Sequence, residues 1–311
     1  MPQSRAKLPN ITESEDLDRL IILALSTAEA RLVASASPIL IARGGGSLIF
    51  RMPTAAHGEL ALKVPAFDRL PPDRFSEAQA KLLREAVVLG AVASRYVPRL
   101  VECEVETGYL AREYIEGESL EAIKSKPSLN RDARLRLCSD VLRAAADLFA
   151  AFHNSPWGGH VIRDFKPRNL ICTDDERRIV LVDVGGVRSE SDIPSRRRGG
   201  HRIGTGAWCY WPPEQLLEKA GWLDRRVDYF ALGSTLHTLV FGSTPFANRS
   251  PTDRLMQDYF RDHAAMAARL RQTADMPPAL AAYVIACLSP DPAERPLAVA
   301  DPTVAESGDR L

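Results

Sequence analysis

The chain has 311 residues, 40 Lys+Arg balanced by 40 Asp+Glu, and 45% apolar residues. That length suits one large domain or two lobes sharing a site, and it can bury a sizeable core. The balanced charge speaks against a general nucleic-acid binder or a polybasic membrane anchor, and no apolar run approaches the roughly 20 residues of a membrane-crossing helix.

Residues 1–10 are polar, contain two prolines, and read as a loose lead-in without the apolar stretch of a secretory signal. Thr12, with Glu15 three positions on, forms a capping box. Leu17, Leu20, Ile21, Ala24, Leu25, Ala28 and Leu32 then repeat at helical spacing. An amphipathic helix over 13–35 is predicted, its stripe packed on the body of the protein or, alternatively, on a partner or a second copy. Three short apolar runs follow at 39–41, 48–52 and 60–64, broken by Gly44-Gly45-Gly46 and by a polar turn at Gly58. They predict a small antiparallel sheet. Ala78, Leu82, Leu83, Ala86, Leu89 and Val92 set a helix over 74–94, and strands are predicted over 97–105 and 108–115. Beyond Gly117 the pattern turns helical, with a long helix over 132–153 and others near 227–241 and 278–288. A strand pair at 169–172 and 179–182 interrupts it. The last dozen residues read as a polar tail. The expected fold is α+β, a small β-rich N-terminal lobe and a larger helical C-terminal lobe meeting near 113–117.

Cysteines fall at 103, 138, 172, 209 and 287, no two closer than 34 positions. Zinc-ligand and CxxC spacings are therefore missing, and reduced, buried thiols in a cytoplasmic protein are expected.

The most informative stretch is Val161-Ile162-Arg163-Asp164-Phe165-Lys166-Pro167-Arg168-Asn169. It resembles the catalytic loop of eukaryotic-type protein kinases, His-Arg-Asp-Leu-Lys-Pro-x-Asn. The chemistry accounts for the spacing. A carboxylate (Asp164) can orient an acceptor hydroxyl, a cation (Lys166) can offset charge on the transferring phosphoryl, and an amide oxygen (Asn169) can reach Mg²⁺. Pro167 stiffens the loop.

Further segments resemble the same family in the same order. Ala61-Leu62-Lys63-Val64 resembles the strand whose Lys meets the α/β-phosphates, and a Lys in an apolar strand needs a partner. The resemblance implies a Glu on the next helix. Glu85, 22 positions on and followed by Leu89, is preferred, with Glu77 as the alternative. Arg112-Glu113-Tyr114-Ile115-Glu116-Gly117 resembles the hinge, implying that backbone groups of Glu113 and Ile115 bind the adenine edge. Asp183-Val184-Gly185 resembles Asp-Phe-Gly, with Asp183 on Mg²⁺. Pro212-Pro213-Glu214 resembles the end of the activation segment, and Arg295 the distal Arg that pairs with that Glu. Asp228 matches the Asp that holds the catalytic-loop backbone.

There are departures. The glycine-rich template Gly-x-Gly-x-x-Gly-x-Val maps onto Gly44, Gly45 and Gly46 but then gives Ile49 and Arg51; backbone N–H groups at 44–47 remain available to phosphates. Arg112 stands at the gatekeeper position, where pairing with Glu85 or Asp183 would mark an inactive form. Ile162 replaces the loop His, and Val184 the Phe. Arg163 before the catalytic Asp implies a reader of activation-segment phosphate, with Ser189, Ser191, Ser195 and Thr205 as acceptors beside the basic run at 196–198.

The resemblance implies a eukaryotic-type Ser/Thr protein kinase using ATP and Mg²⁺ on protein substrates, and the Ala- and Arg-rich composition suggests a bacterial source. Its domain would span 38–297 (N-lobe 38–112, hinge 113–117, C-lobe 118–297), with an extension at 1–37 and a tail at 298–311. Two alternatives stay open: a pseudokinase scaffold, and a small-molecule kinase of the aminoglycoside-phosphotransferase type. Lys166, Glu214 and Arg295 speak against the second.

Overall fold

The structure, a computed structural model, describes residues 14–44, 46–66, 74–92, 94–154, 159–174, 176–189, 207–216, 224–246 and 255–300. The described residues within Met1–Gly90 and Arg99–Tyr114 form one compact unit, and those within Ala91–Pro98 and Ile115–Leu311 form another.

The first unit holds α1 (Ser14–Arg31), β1 (Ile39–Arg43), β2 (Ser47–Thr54), β3 (Gly58–Pro65), α2 (Phe75–Ala91), β4 (Leu100–Glu104) and β5 (Tyr109–Glu113). The strands make a five-stranded antiparallel sheet in the order β1-β2-β3-β5-β4. The two-residue pleat sorts its side chains: Leu48, Phe50 and Met52 are buried while their neighbours in β2 are half-exposed. Register sets Leu48 opposite Val64, Phe50 opposite Leu62 and Met52 opposite Leu60. With Tyr109 and Ala111 these residues build one apolar face, and Ala24 and Ala28 of α1, with Leu32 just beyond it, close it. Burying a residue such as Leu32 contributes about 2 kcal/mol. The stripe of α1 therefore lies on the protein's own sheet. The helix stops short of the predicted 35 because Val33 turns left-handed, at φ 51°, and the Ala34 N–H closes back on the Glu29 carbonyl at 3.0 Å.

The second unit is mainly helical, with α3 (Leu120–Lys124), α4 (Arg131–His153), α5 (Pro213–Leu216), α6 (Arg226–Phe241), α7 (Leu255–Gln272) and α8 (Pro278–Cys287). Short strands complete it: β6 (Gly117–Ser119), β7 (His160–Val161), β8 (Leu170–Thr173), β9 (Ile179–Leu181) and β10 (Arg188–Ser189). Helix α6 is its axis, buried without a break from Val227 to Val240. A helix buried on every face belongs in a core, and its polar members Asp228, Ser234, Thr235, His237 and Thr238 are buried with the rest. Gly233 lets α8 approach, since a Cβ there would lie 2.6 Å from Cys287 Cβ. Ala91–Pro98 groups with this unit: the Leu181 N–H donates to the Tyr96 carbonyl at 2.8 Å, and Arg178 Nη1 to the Arg95 carbonyl at 2.8 Å. Among the described residues no helix is long and apolar enough to cross a membrane.

Candidate active site

In the first unit, Lys63 lies on the sheet face opposite α1, because its β3 neighbours Leu62 and Val64 point into the apolar core. Its Nζ is 2.6 Å from Glu85 Oε2, and both side chains are buried. Leu82, Ala86 and Leu89 seat α2 so that Glu85 faces the lysine. The alternative, Glu77, is exposed and pairs with Arg74 at 2.9 Å. Glu85 Oε1 is buried with no hydrogen-bond partner among the described residues. A buried ammonium–carboxylate pair with one spare oxygen suits a phosphate-binding lysine held in place from behind.

Gly44 and Gly46 form a tight β1–β2 turn, with the Gly44 N–H donating to the Ser47 carbonyl at 2.8 Å; Gly45 lies outside the described residues. Ile49 pairs with Lys63 across the ladder, and Arg51 pairs with Ala61. Arg51 is held by Glu59 at 2.8 Å and stacks 4.6 Å above the Tyr114 ring. Arg112, opposite Ala61 on β5, is buried. The Glu113 N–H is taken by the Arg99 carbonyl at 2.9 Å, so a base would have to use other backbone groups there. Ile115 opens the second unit.

In the second unit, the predicted catalytic loop gathers its polar groups around one carboxylate. Asp164 Oδ1 is 2.6 Å from Lys166 Nζ, and Asp164 Oδ2 accepts from Asn169 Nδ2 at 2.9 Å. Asn169 Nδ2 also donates to the Asp164 carbonyl at 3.0 Å, so what this amide offers elsewhere is its oxygen. Pro167 starts the short helical turn Pro167–Asn169 that places the amide. The Asn169 backbone carbonyl accepts the Val182 N–H at 2.9 Å, which ties the loop to the residue before Asp183. Asp183 Oδ1 accepts the Gly185 N–H at 3.0 Å. Val184, in place of the expected Phe, is buried.

The loop backbone hangs on Asp228, which is wholly buried at the start of α6. Its Oδ2 accepts from the Ile162 N–H at 2.9 Å and its Oδ1 from the Arg163 N–H at 2.7 Å. His153 Nε2 lies 2.8 Å from the same Oδ2. Ile162 braces the loop by packing, fully buried, where the family places His. Arg163 has φ 66°. Beyond Asp183, β10 pairs with β7, setting Ser189 opposite His160. Ser191, Ser195, Thr205 and the basic run at 196–198 lie outside the described residues. Glu214, on α5, and Arg295 form a buried ion pair at 2.5 Å.

His153 and Gln215 also touch this site and were not singled out in the sequence. Neither sits in a motif, and each acts through a partner tens of residues away.

No cluster of three or more His, Cys, Asp or Glu side chains suited to a metal occurs among the described residues. Magnesium does not ask for one: an amide oxygen and a carboxylate, here Asn169 and Asp183, with phosphate oxygens and water, are the hard donors it takes. The thiols are not candidates for chemistry. All five are free, and burial pushes Cys103 up to about 11 and both Cys138 and Cys287 up to about 12.

Residues 43–301 match the protein kinase domain family, and the chain belongs to it. It is 28% identical to the serine/threonine-protein kinase pkn3 of Myxococcus xanthus over 83% of this chain and 46% of that protein. It is also 28% identical to the serine/threonine-protein kinase PknD of Mycobacterium tuberculosis, over 86% of this chain and 38% of that one. A probable serine/threonine-protein kinase of Clostridium acetobutylicum is 23% identical over 81% of this chain and 36% of its own length. The chain thus spans less than half the length of these relatives.

Proposed function

We propose that this chain is a serine/threonine protein kinase that transfers the γ-phosphoryl group of ATP to hydroxyls of protein substrates. The observation that carries the reading is Asp164, held at one oxygen by Lys166 (2.6 Å) and at the other by Asn169 (2.9 Å), on a loop hung from a buried Asp228. Asp164 is half-buried, so its carboxylate is positioned yet reachable.

In this reading Asp164 orients the acceptor hydroxyl and takes its proton. Lys166 offsets negative charge on the transferring group and on the carboxylate beside it. Lys63, fixed by Glu85, meets the α/β-phosphates, and the turn at Gly44, Gly45 and Gly46 adds backbone N–H groups beyond that of Gly44, which bonds the Ser47 carbonyl. Asn169 and Asp183 would hold Mg²⁺, which when bound neutralises phosphate charge. Backbone groups of Glu113 and Ile115 serve the adenine. We place the kinase domain at 38–297, with the hinge at 113–117, an N-terminal extension at 1–37 and a C-terminal tail at 298–311.

Arg163 is assigned as a reader of phosphate on Ser189, Ser191, Ser195 or Thr205, a group carrying about −1.5 to −2 charge near pH 7. The five free cysteines, of which Cys138, Cys172 and Cys287 are buried, support a cytoplasmic location. The test is incubation with labelled ATP and Mg²⁺ on a generic Ser/Thr substrate, wild type beside Asp164→Asn, with phosphosite mapping. Label on Ser or Thr that depends on Asp164 supports the reading; equal label with both proteins overturns it.

A further inference from the structure

We propose that Gln215 is a positioning residue for the catalytic loop, holding the Arg163 carbonyl while Asp228 holds the Arg163 amide. This rests on the reading of Asp164 as the residue that orients the acceptor hydroxyl.

Arg163 is left-handed, with φ 66°. That conformation costs a residue with a Cβ about 1–2 kcal/mol. It persists only where the surroundings over-determine it. On one side, the Arg163 N–H donates to Asp228 Oδ1 at 2.7 Å. On the other, Gln215 Nε2 donates to the Arg163 carbonyl at 3.4 Å. That carbonyl belongs to the peptide plane that carries the Asp164 amide. Gln215 thus acts on the plane from which the Asp164 side chain springs, a step that Asp228 does not reach.

Gln215 is only 5% exposed, and its Oε1 is buried without a hydrogen-bond partner among the described residues. An orphaned buried oxygen is a cost that an apolar side chain of the same size would remove. What the amide supplies in exchange is the N–H directed at Arg163. The residue is also presented from a fixed point. Its own N–H closes on the Pro212 carbonyl at 3.0 Å, and its neighbour Glu214 is held by both Nη atoms of Arg295. The anchor of the segment's end and the geometry beside Asp164 therefore meet in one side chain.

The experiment compares full-length wild type with Gln215→Leu and Gln215→Glu. Three readouts are taken: kcat and KM for ATP across pH, melting temperature, and amide hydrogen exchange at 162–164. Losing the donor should lower kcat roughly tenfold, the scale of one hydrogen bond, with KM for ATP within about twofold and the fold intact. Exchange at 162–164 should quicken while α6 stays protected. Gln215→Glu should recover kcat as pH falls, because a protonated carboxyl donates where a carboxylate cannot, and burial raises its pKa. A role in packing alone predicts neither that pH signature nor the exchange change. Wild-type kcat in Gln215→Leu, or unchanged exchange at 162–164 in both variants, overturns the proposal. Should the wild type show no phosphoryl transfer, the kinase reading fails and the exchange measurement alone decides whether Gln215 holds the loop.

Discussion

Arg295 meets Glu214 through both guanidinium ends, Nη1 at 2.5 Å from Oε1 and Nη2 at 3.0 Å from Oε2. Its Nε donates to the Ser289 carbonyl at 2.8 Å, and its guanidinium lies 5.0 Å from the Phe230 ring centre. Both side chains are out of solvent, so each charge depends on the other. Breaking a buried pair from one side typically costs about 3–5 kcal/mol. Arg295→Ala is expected to lose that much stability in urea unfolding. Arg295→Lys should recover only part of it, because an ammonium cannot reproduce the two-pronged contact. A loss below about 1 kcal/mol in Arg295→Ala would mean the pair does not anchor the segment.

The buried Lys63–Glu85 pair separates stability from chemistry. Lys63→Met strands Glu85 in a dry site and should destabilise the protein by about 3–5 kcal/mol while abolishing transfer. Adding Glu85→Leu removes the stranded charge. The double variant should regain most of the stability, read as melting temperature, and none of the phosphoryl transfer. Return of activity with stability would contradict the phosphate-binding role of Lys63.

Val33 offers a stabilising change. It sits exposed at the end of α1 with φ 51°, a conformation that glycine adopts without steric cost. Val33→Gly relieves about 1–2 kcal/mol of strain against roughly 0.5–1 kcal/mol of added chain entropy. The net expectation is a gain of about 0.5–1 kcal/mol, measured as a higher urea midpoint. A lower midpoint would show that the Val33 side chain contributes packing that its exposure hides.

Acid should weaken the fold through His237. Burial holds its imidazole down to about 4, against a stabilising bond to the Ser243 carbonyl and with Arg269 pushing the same way as burial. Nδ1 lies 3.0 Å from that carbonyl. The folded pKa is below the unfolded one, so the unfolded chain takes up the proton first. This contribution is complete above about pH 6.5 and is lost as pH falls toward 4. The loss is up to about 3 kcal/mol for a shift of this size. His237→Gln, which keeps a donor for Ser243, should flatten stability between pH 6.5 and 4; an unchanged slope would place the acid sensitivity elsewhere.

Much of this molecule is legible in the sequence because its signals are local. The alternation Leu48, Phe50, Met52 dictates a half-buried strand, and the apolar residues Val227, Phe230, Ala231, Leu232, Leu236, Leu239 and Val240 at helical intervals mark a helix, although its burial on every side, polar members included, shows only in the structure. The loop at 161–169 carries its chemistry within nine consecutive positions. What stayed hidden depends on contacts far apart in the chain. Nothing near Gln215 announces that its amide reaches Arg163, 52 positions away, and nothing near Tyr96 shows that its carbonyl receives Leu181. The α1 stripe was legible, but not its destination, because an apolar stripe fits its own sheet and a partner equally well. The preference for Glu85 over Glu77 was legible in Leu89 four positions on, and α2's packing turns Glu85 inward while Glu77 stays exposed.

The central claim, that Asp164 serves phosphoryl transfer to Ser or Thr, is tested most directly by single-turnover transfer from γ-labelled ATP with Mg²⁺, wild type against Asp164→Asn. Asparagine keeps the size and the contact with Lys166 but cannot accept the acceptor's proton. Nucleotide binding and melting temperature should stay near wild type, while the transfer rate falls by about 10²–10⁴, the usual contribution of a positioned base. Transfer by Asp164→Asn at the wild-type rate, or wild-type protein that binds ATP and Mg²⁺ yet labels no hydroxyl, would contradict the account.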